Sequence, residues 1–164
     1  MSGRRVPAWL SAGSLLLSIA GAGISAYLTY EHYSGSASLA CPDTGTVDCL
    51  KVTTSSYAAV LGVPVALLGL LFFVAMTLLC LPQAWRAPLP WLPRLRAVAL
   101  LGGAAFVLYL VWAELFRLDA ICLWCTAVHV DVVLLLGLVL VGEAYVEPAE
   151  EQAPVTSPLT ISDG

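Results

Sequence analysis

Four apolar stretches divide the chain. Residues 8–30, 62–81, 97–116 and 121–142 carry few charges, and each is near the roughly 20 residues that an α-helix needs to cross a bilayer. Polar positions gather between them. They form a loop over 31–61, a Pro- and Arg-rich link WRAPLPWLPRLR at 85–96, and the short link RLDA at 117–120. The pattern predicts an all-α integral membrane protein, a four-transmembrane-helix bundle that makes one domain over residues 1–142. The remainder, EAYVEPAEEQAPVTSPLTISDG at 143–164, is acidic, contains proline and is poor in large apolar residues. It reads as a disordered tail.

Composition agrees. Of 164 residues, 60% are hydrophobic and 11% are charged, against about 25% charged in a soluble domain. Such a chain has too little polar surface to stay dissolved. The net charge of −4 says little about partners, because the acids cluster in the tail. Nothing basic points to nucleic acid. Basic residues do set an orientation. With the N-terminus cytoplasmic, Arg4, Arg5, Arg86, Arg94 and Arg96 lie inside, and only Lys51 and Arg117 lie outside. Both termini are therefore expected in the cytoplasm of a cell (plasma) membrane protein, with the 31–61 loop and the RLDA link exterior. The Arg4-Arg5 pair superficially resembles an export signal. The apolar run after it is long, lacks a clear small-x-small site and leads into three more spans, so it reads as the first span.

The cysteines carry the chemistry. Cys41 and Cys49 bracket the exterior loop segment CPDTGTVDC, and Cys122 and Cys125 head the last apolar run as CLWC. Four of the five cysteines thus share the side on which disulfides persist. Cys80 lies about 27 Å from that side at 1.5 Å per helical residue and reads as a small core residue. Asp119 is expected to cap the last helix, with Cys122 at its third position, where the helix dipole favours a thiolate. Cys125 lies one turn, about 4.5 Å, deeper. One sulfur at the aqueous rim and one facing the lipid-soluble interior can pass electrons between water and membrane.

Duller readings exist for each pair. A Cys122–Cys125 bridge closes a tiny loop and would gain little as a structural staple. A Cys41–Cys49 bridge alone would be an ordinary loop staple. Four thiolates could instead hold one tetrahedral zinc, and no metal is expected on an oxidising face with pairs so spaced. A four-span scaffold or ion carrier is the non-enzymatic alternative. A carrier would usually show broken helices or several intramembrane polar residues, and the first two runs have little beyond small or hydroxyl residues.

Taken together, the loop pair Cys41 and Cys49, Ser55 in CLKVTTSSY, GVPVALLGL opening the second run and CLWC heading the fourth resemble the bacterial branch of the vitamin K epoxide reductase family. The resemblance covers residues 8–142, in a form without a fused thioredoxin-like domain. It implies four helices around a quinone (menaquinone or ubiquinone), capped by a half-helix after Cys49. It implies a thiol:quinone oxidoreductase that reoxidises a separate, exported thioredoxin-fold thiol oxidase. By matching position, Cys41 would meet the partner, Cys49 would exchange with Cys122, and Cys125 would reduce the quinone. Ser55 matches a serine near the quinone; as a lone loop serine it would be merely solvated or capping. Animal members use an asparagine in the second helix and a tyrosine four residues past the second CxxC cysteine. This chain has no asparagine, and His129 stands at the tyrosine's place. Epoxide reduction is thus a weaker alternative to quinone reduction.

Three further polar residues bear on the apolar runs. His129 is four residues past Cys125 and shares its face, where it could bond a quinone oxygen or move a proton, or simply bond within the bundle. Asp131 lies about 200° around the helix from His129. It must face inward, pair or stay protonated, and interhelix packing is expected rather than a proton path. Glu114 is expected to pair with Arg117 at the interface.

Overall fold

The computed structural model describes residues 6–35, 40–41 and 44–146. Helix α1 is Ala8–Ser34. A short α2, Cys49–Thr53, and a 3-10 turn, Ser56–Ala58, lead into a two-residue hairpin of β1 (Ala59–Val60) and β2 (Val63–Pro64). Helix α3 is Val65–Leu79 and α4 is Pro82–Arg86. Helix α5, Leu92–Ala113, widens into a π-helical turn at Glu114–Leu118. Helix α6, Leu123–Val146, completes the fold.

Local chemistry explains the boundaries. Gly35 takes the left-handed conformation that stops α1 (φ 63°). The hairpin turns on Leu61 and Gly62, both at positive φ. It consumes the first residues of the second apolar run, so α3 starts at Val65 rather than at 62. Its end is set by Pro82, which opens α4. Pro93 stands in the first turn of α5, where its missing N–H costs nothing. That helix therefore begins five residues before the expected 97.

Among the described residues, three helical segments, Ala8–Ser34, Leu92–Leu118 and Leu123–Tyr145, are long and apolar enough to cross a membrane. Helix α3 is apolar too but has 15 residues, so among the described residues three helices, not the expected four, have full spanning length. Leu16, Leu71, Val98, Leu108 and Val133 point outward from the bundle. Apolar surface of this extent suits lipid, not water.

Inside, α1 packs on α3 and α6 through small residues. Ser14, Ser18, Gly21 and Ser25 recur at helical spacing and are buried, which lets the backbones approach closely. The Ser14 and Ser18 hydroxyls donate to carbonyls of the preceding turn at 3.1 and 2.8 Å, so they leave no orphan donors in the interface. A Cβ on Gly21 would collide with Phe73 and the Asp131 carboxylate. Asp131 is thus buried between α6 and α1, off the Cys125 face. Cys80 is fully buried in the main core cluster with Phe73, Met76, Leu100 and Leu135.

The end of the bundle far from the CxxC pair is locked by Arg96. Its Nε donates to the Leu79 carbonyl and its Nη1 to Glu143, both at 2.8 Å, and its guanidinium lies 4.0 Å from the Trp85 ring centroid. Residues 143–146, expected in the tail, therefore belong to α6. The expectation of a disordered tail from 147 onward falls outside the described residues.

Candidate active site

The site is built from two short segments laid side by side. Val47 bridges Ile121 in parallel fashion. The Ile121 N–H donates to Thr46 at 2.9 Å and the Asp48 N–H donates to Ile121 at 3.1 Å. Asp48 also caps α2 through its side chain, accepting the Lys51 N–H at 2.8 Å. Cys49 becomes the first residue of that half-helix. Trp124 ties in the other side of the loop: its indole N–H donates to the Ala40 carbonyl at 3.1 Å, and its ring packs on Tyr27 at 5.1 Å between centroids.

Cys41 and Cys49 form a disulfide, and Cys122 and Cys125 are free thiols. With two of the four sulfurs bonded to each other, the loop pair is not available as thiolate ligands. Cys49 and Cys122 are buried in one cluster with Val52 and Ala120, with Cys41 and Cys125 packed against it. Burial deepens along the series. Cys41 is half-buried, and Cys49 and Cys122 are closed from solvent.

Cys122 sits differently from expectation. Asp119 does not cap α6. It lies in the left-handed region (φ 48°) and ends the π-helical turn, because the Ile121–Thr46 pairing holds the following residues extended. Cys122 itself takes the capping place, one residue before α6. Its Sγ accepts the Cys125 N–H at 3.3 Å, and its carbonyl accepts the Thr126 N–H and hydroxyl at 2.8 and 2.9 Å. Hydrogen bonds from the Cys125 thiol and N–H hold the Cys122 thiol below the ordinary thiol range, against the opposing effect of burial. A sulfur at a helix N-terminus thus becomes the more thiolate-prone of the pair.

Below this layer lies a cavity of about 290 Å³, at the lower edge of the roughly 300–1,000 Å³ typical of small-molecule pockets. It lies between α1, α3, α5 and α6, with α2 and the 3-10 turn over it. Phe72, Phe106, Val107, Leu110 and Val132 give it apolar walls, and Cys125, His129 and Ser55 all line it. The structure therefore brings three of the six sequence-selected residues onto one cavity and stacks the other three, Cys41, Cys49 and Cys122, above it. The Ser55 hydroxyl donates to the Val52 carbonyl at 2.7 Å.

The cavity also holds polar residues that the sequence reading did not assign to the site: Ser25, His32, Tyr57 and Glu114. Glu114 forms no ion pair with Arg117, contrary to expectation. It is buried (6% exposed), and its carboxylate accepts the backbone N–H of Cys122. The widened turn carries exposed Arg117 away from it. The sequence signal was a carboxylate inside an apolar run.

Such a stack, a disulfide near solvent above a dithiol that reaches an apolar cavity, can do thiol–disulfide exchange at one end and reduce a small planar molecule at the other. The model of the vitamin K epoxide reductase family matches residues 13–140, a stretch that contains every one of these residues. The chain is a membrane oxidoreductase that belongs to the vitamin K epoxide reductase family.

Proposed function

We propose that the protein is a thiol:quinone oxidoreductase that supports disulfide formation in exported proteins. A reduced thioredoxin-fold thiol oxidase attacks Cys41 and leaves oxidised, with Cys41 and Cys49 reduced. Cys49 then attacks Cys122 of an oxidised Cys122–Cys125 pair, and the loop disulfide re-forms. The resulting dithiol reduces a quinone: two S–H bonds break, one S–S bond and two ring O–H bonds form, and two electrons move. The observation that carries this reading is that Cys125 shares an apolar cavity with His129 while its neighbour Cys122 packs against Cys49. Ser55 and His129 are assigned to the quinone, His129 as a hydrogen-bond donor to a ring oxygen.

The reading includes four membrane crossings with both termini cytoplasmic. Helix α3 rises only about 22 Å at 1.5 Å per residue. The flanking hairpin and the Cys80–Leu81 corner complete its crossing, and the Leu79 carbonyl at its end is satisfied by Arg96.

The test uses purified protein in detergent or nanodiscs, dithiothreitol as electron donor and a short-tailed quinone. Quinone absorbance should bleach with turnover, and Cys125→Ser should reduce the rate to background. Wild-type protein that leaves quinone untouched but consumes vitamin K epoxide would favour the epoxide reading.

A further inference from the structure

Glu114 is costly where it stands. A carboxylate in an apolar wall without a cation is an expense a membrane protein rarely tolerates without use. Three observations say what the use is. The π-helical turn, in which the Glu114 carbonyl accepts from both Asp119 and Ala120, sits at the join of α5 to the CxxC segment. Single π turns in α-helices often mark functional sites. The carboxylate lines the cavity that Cys125 and His129 line. It is bonded to the Cys122 N–H, at the head of the CxxC segment.

Resting on the quinone reading, we infer that Glu114 is the proton carrier of the sulfur-to-quinone step. The Cys125 S–H proton passes to the Glu114 carboxylate as the sulfur's electron pair moves onto the quinone ring. The protonated Glu114 then delivers it to a ring oxygen. The second proton comes from the Cys122 S–H when that sulfur closes the S–S bond, and reaches the other ring oxygen. Both cysteines are oxidised and the quinone is reduced by two electrons, so no further reductant or oxidant enters. Besides Glu114 and the Cys125 thiol, the titratable groups facing the cavity are His32 from α1, Tyr57 from the 3-10 turn and His129 from α6. His129 can hydrogen-bond a ring oxygen, while Glu114 alone of this set also holds the CxxC backbone.

The competing role is positional: Glu114 would only anchor the Cys122 N–H. Glu114→Gln separates the two, since an amide oxygen still accepts that N–H but the side chain carries no proton. Full-length protein in nanodiscs is assayed across pH with dithiothreitol and a short-tailed quinone, for wild type, Glu114→Gln and Glu114→Asp. Reduction of the Cys41–Cys49 disulfide by dithiothreitol is followed separately, because it needs no quinone. The expected result for Glu114→Gln is a kcat lowered about 100-fold, as befits loss of a general acid–base group. Its quinone KM and its Cys41–Cys49 reduction stay near wild type, and its pH profile loses one limb. Glu114→Asp should recover a substantial part of kcat and restore that limb. A Glu114→Gln kcat within about threefold of wild type with an unchanged pH profile, far short of the ~100-fold of a lost proton carrier, overturns the inference. So does a defect confined to KM. If Glu114→Gln also loses Cys41–Cys49 reduction, Glu114→Asp decides: recovery supports the inference and an equally inactive protein overturns it. Wild type that fails to reduce quinone instead sinks the parent reading.

Discussion

At the scale of single residues, Cys122 shows how one position can do two jobs. A helix needs a side-chain acceptor at its cap, and here the acceptor is a sulfur. The same bonds that satisfy the Cys125 N–H hold the Cys122 thiol below the ordinary range. The Cys125 thiol is the largest contributor to that lowering, which fixes a sign. A lowered thiol keeps its thiolate as pH falls past the usual value of about 8.5, so thiolate absorbance of the reduced protein should titrate below that value. Cys125→Ser removes the thiol neighbour and should move the titration upward, and Cys122→Ser should abolish it. A titration that Cys125→Ser leaves in place would separate the lowering from the CxxC partner. The gathering of four cysteines at one end of the bundle was legible in the sequence from spacing and side. The capping role of Cys122 was not, because Asp119 is the better capping residue by type. What displaced it was a pairing with residues 46–48, some 70 positions away.

At the scale of elements, continuous apolarity made the long helices legible, because lipid exposes every face of a spanning segment except the one it packs. The ends were harder. The hairpin that shortens α3 is apolar like the helix it delays, and only the left-handed Leu61 and Gly62 mark it. The π-helical turn has the composition of an ordinary helix, so the spacing of Glu114 and Arg117 suggested a surface pair. The far-end clamp was equally hidden, since Arg96 looked like one more flanking charge. It is instead buried (2% exposed) and joins α3, α4, α5 and α6 through Leu79, Trp85 and Glu143. Arg96→Met removes one half of that pair and leaves Glu143 with little solvent. The loss should be about 3–5 kcal/mol, the range for breaking a buried pair, read as a lower denaturation midpoint in detergent. Arg96→Met combined with Glu143→Met should recover part of it. A single variant as stable as wild type would show the clamp to be energetically idle. Quinone KM should not change, as the cavity lies at the other end.

At the scale of the whole molecule, the sulfurs run through one cluster from the loop to the cavity wall. The half-buried Cys41 is followed by the enclosed Cys49 and Cys122, and then by Cys125 on the cavity wall. In the proposed relay, order along this path becomes order of reaction, because each exchange needs its attacking sulfur beside the next disulfide. That order predicts where the relay stalls. With Cys125→Ser, Cys122 has no partner within its own pair and can hold Cys49 in a mixed disulfide. The Cys122 thiolate attacks Cys49 and releases the Cys41 thiolate, which attacks the disulfide of an oxidised exported thioredoxin-fold protein; with Cys49 held by Cys122, nothing displaces that adduct and it persists. In cells expressing Cys125→Ser, a non-reducing gel should show a band above the 17.3 kDa chain that collapses on reduction. Adding Cys41→Ala should remove it, since no other loop thiol is as exposed to a protein partner. Persistence of the adduct in the Cys41→Ala background would place entry at Cys49 and reverse the direction read from burial. Absence of any adduct across all single-cysteine variants would argue that electrons enter from a small thiol, with no protein partner in the path.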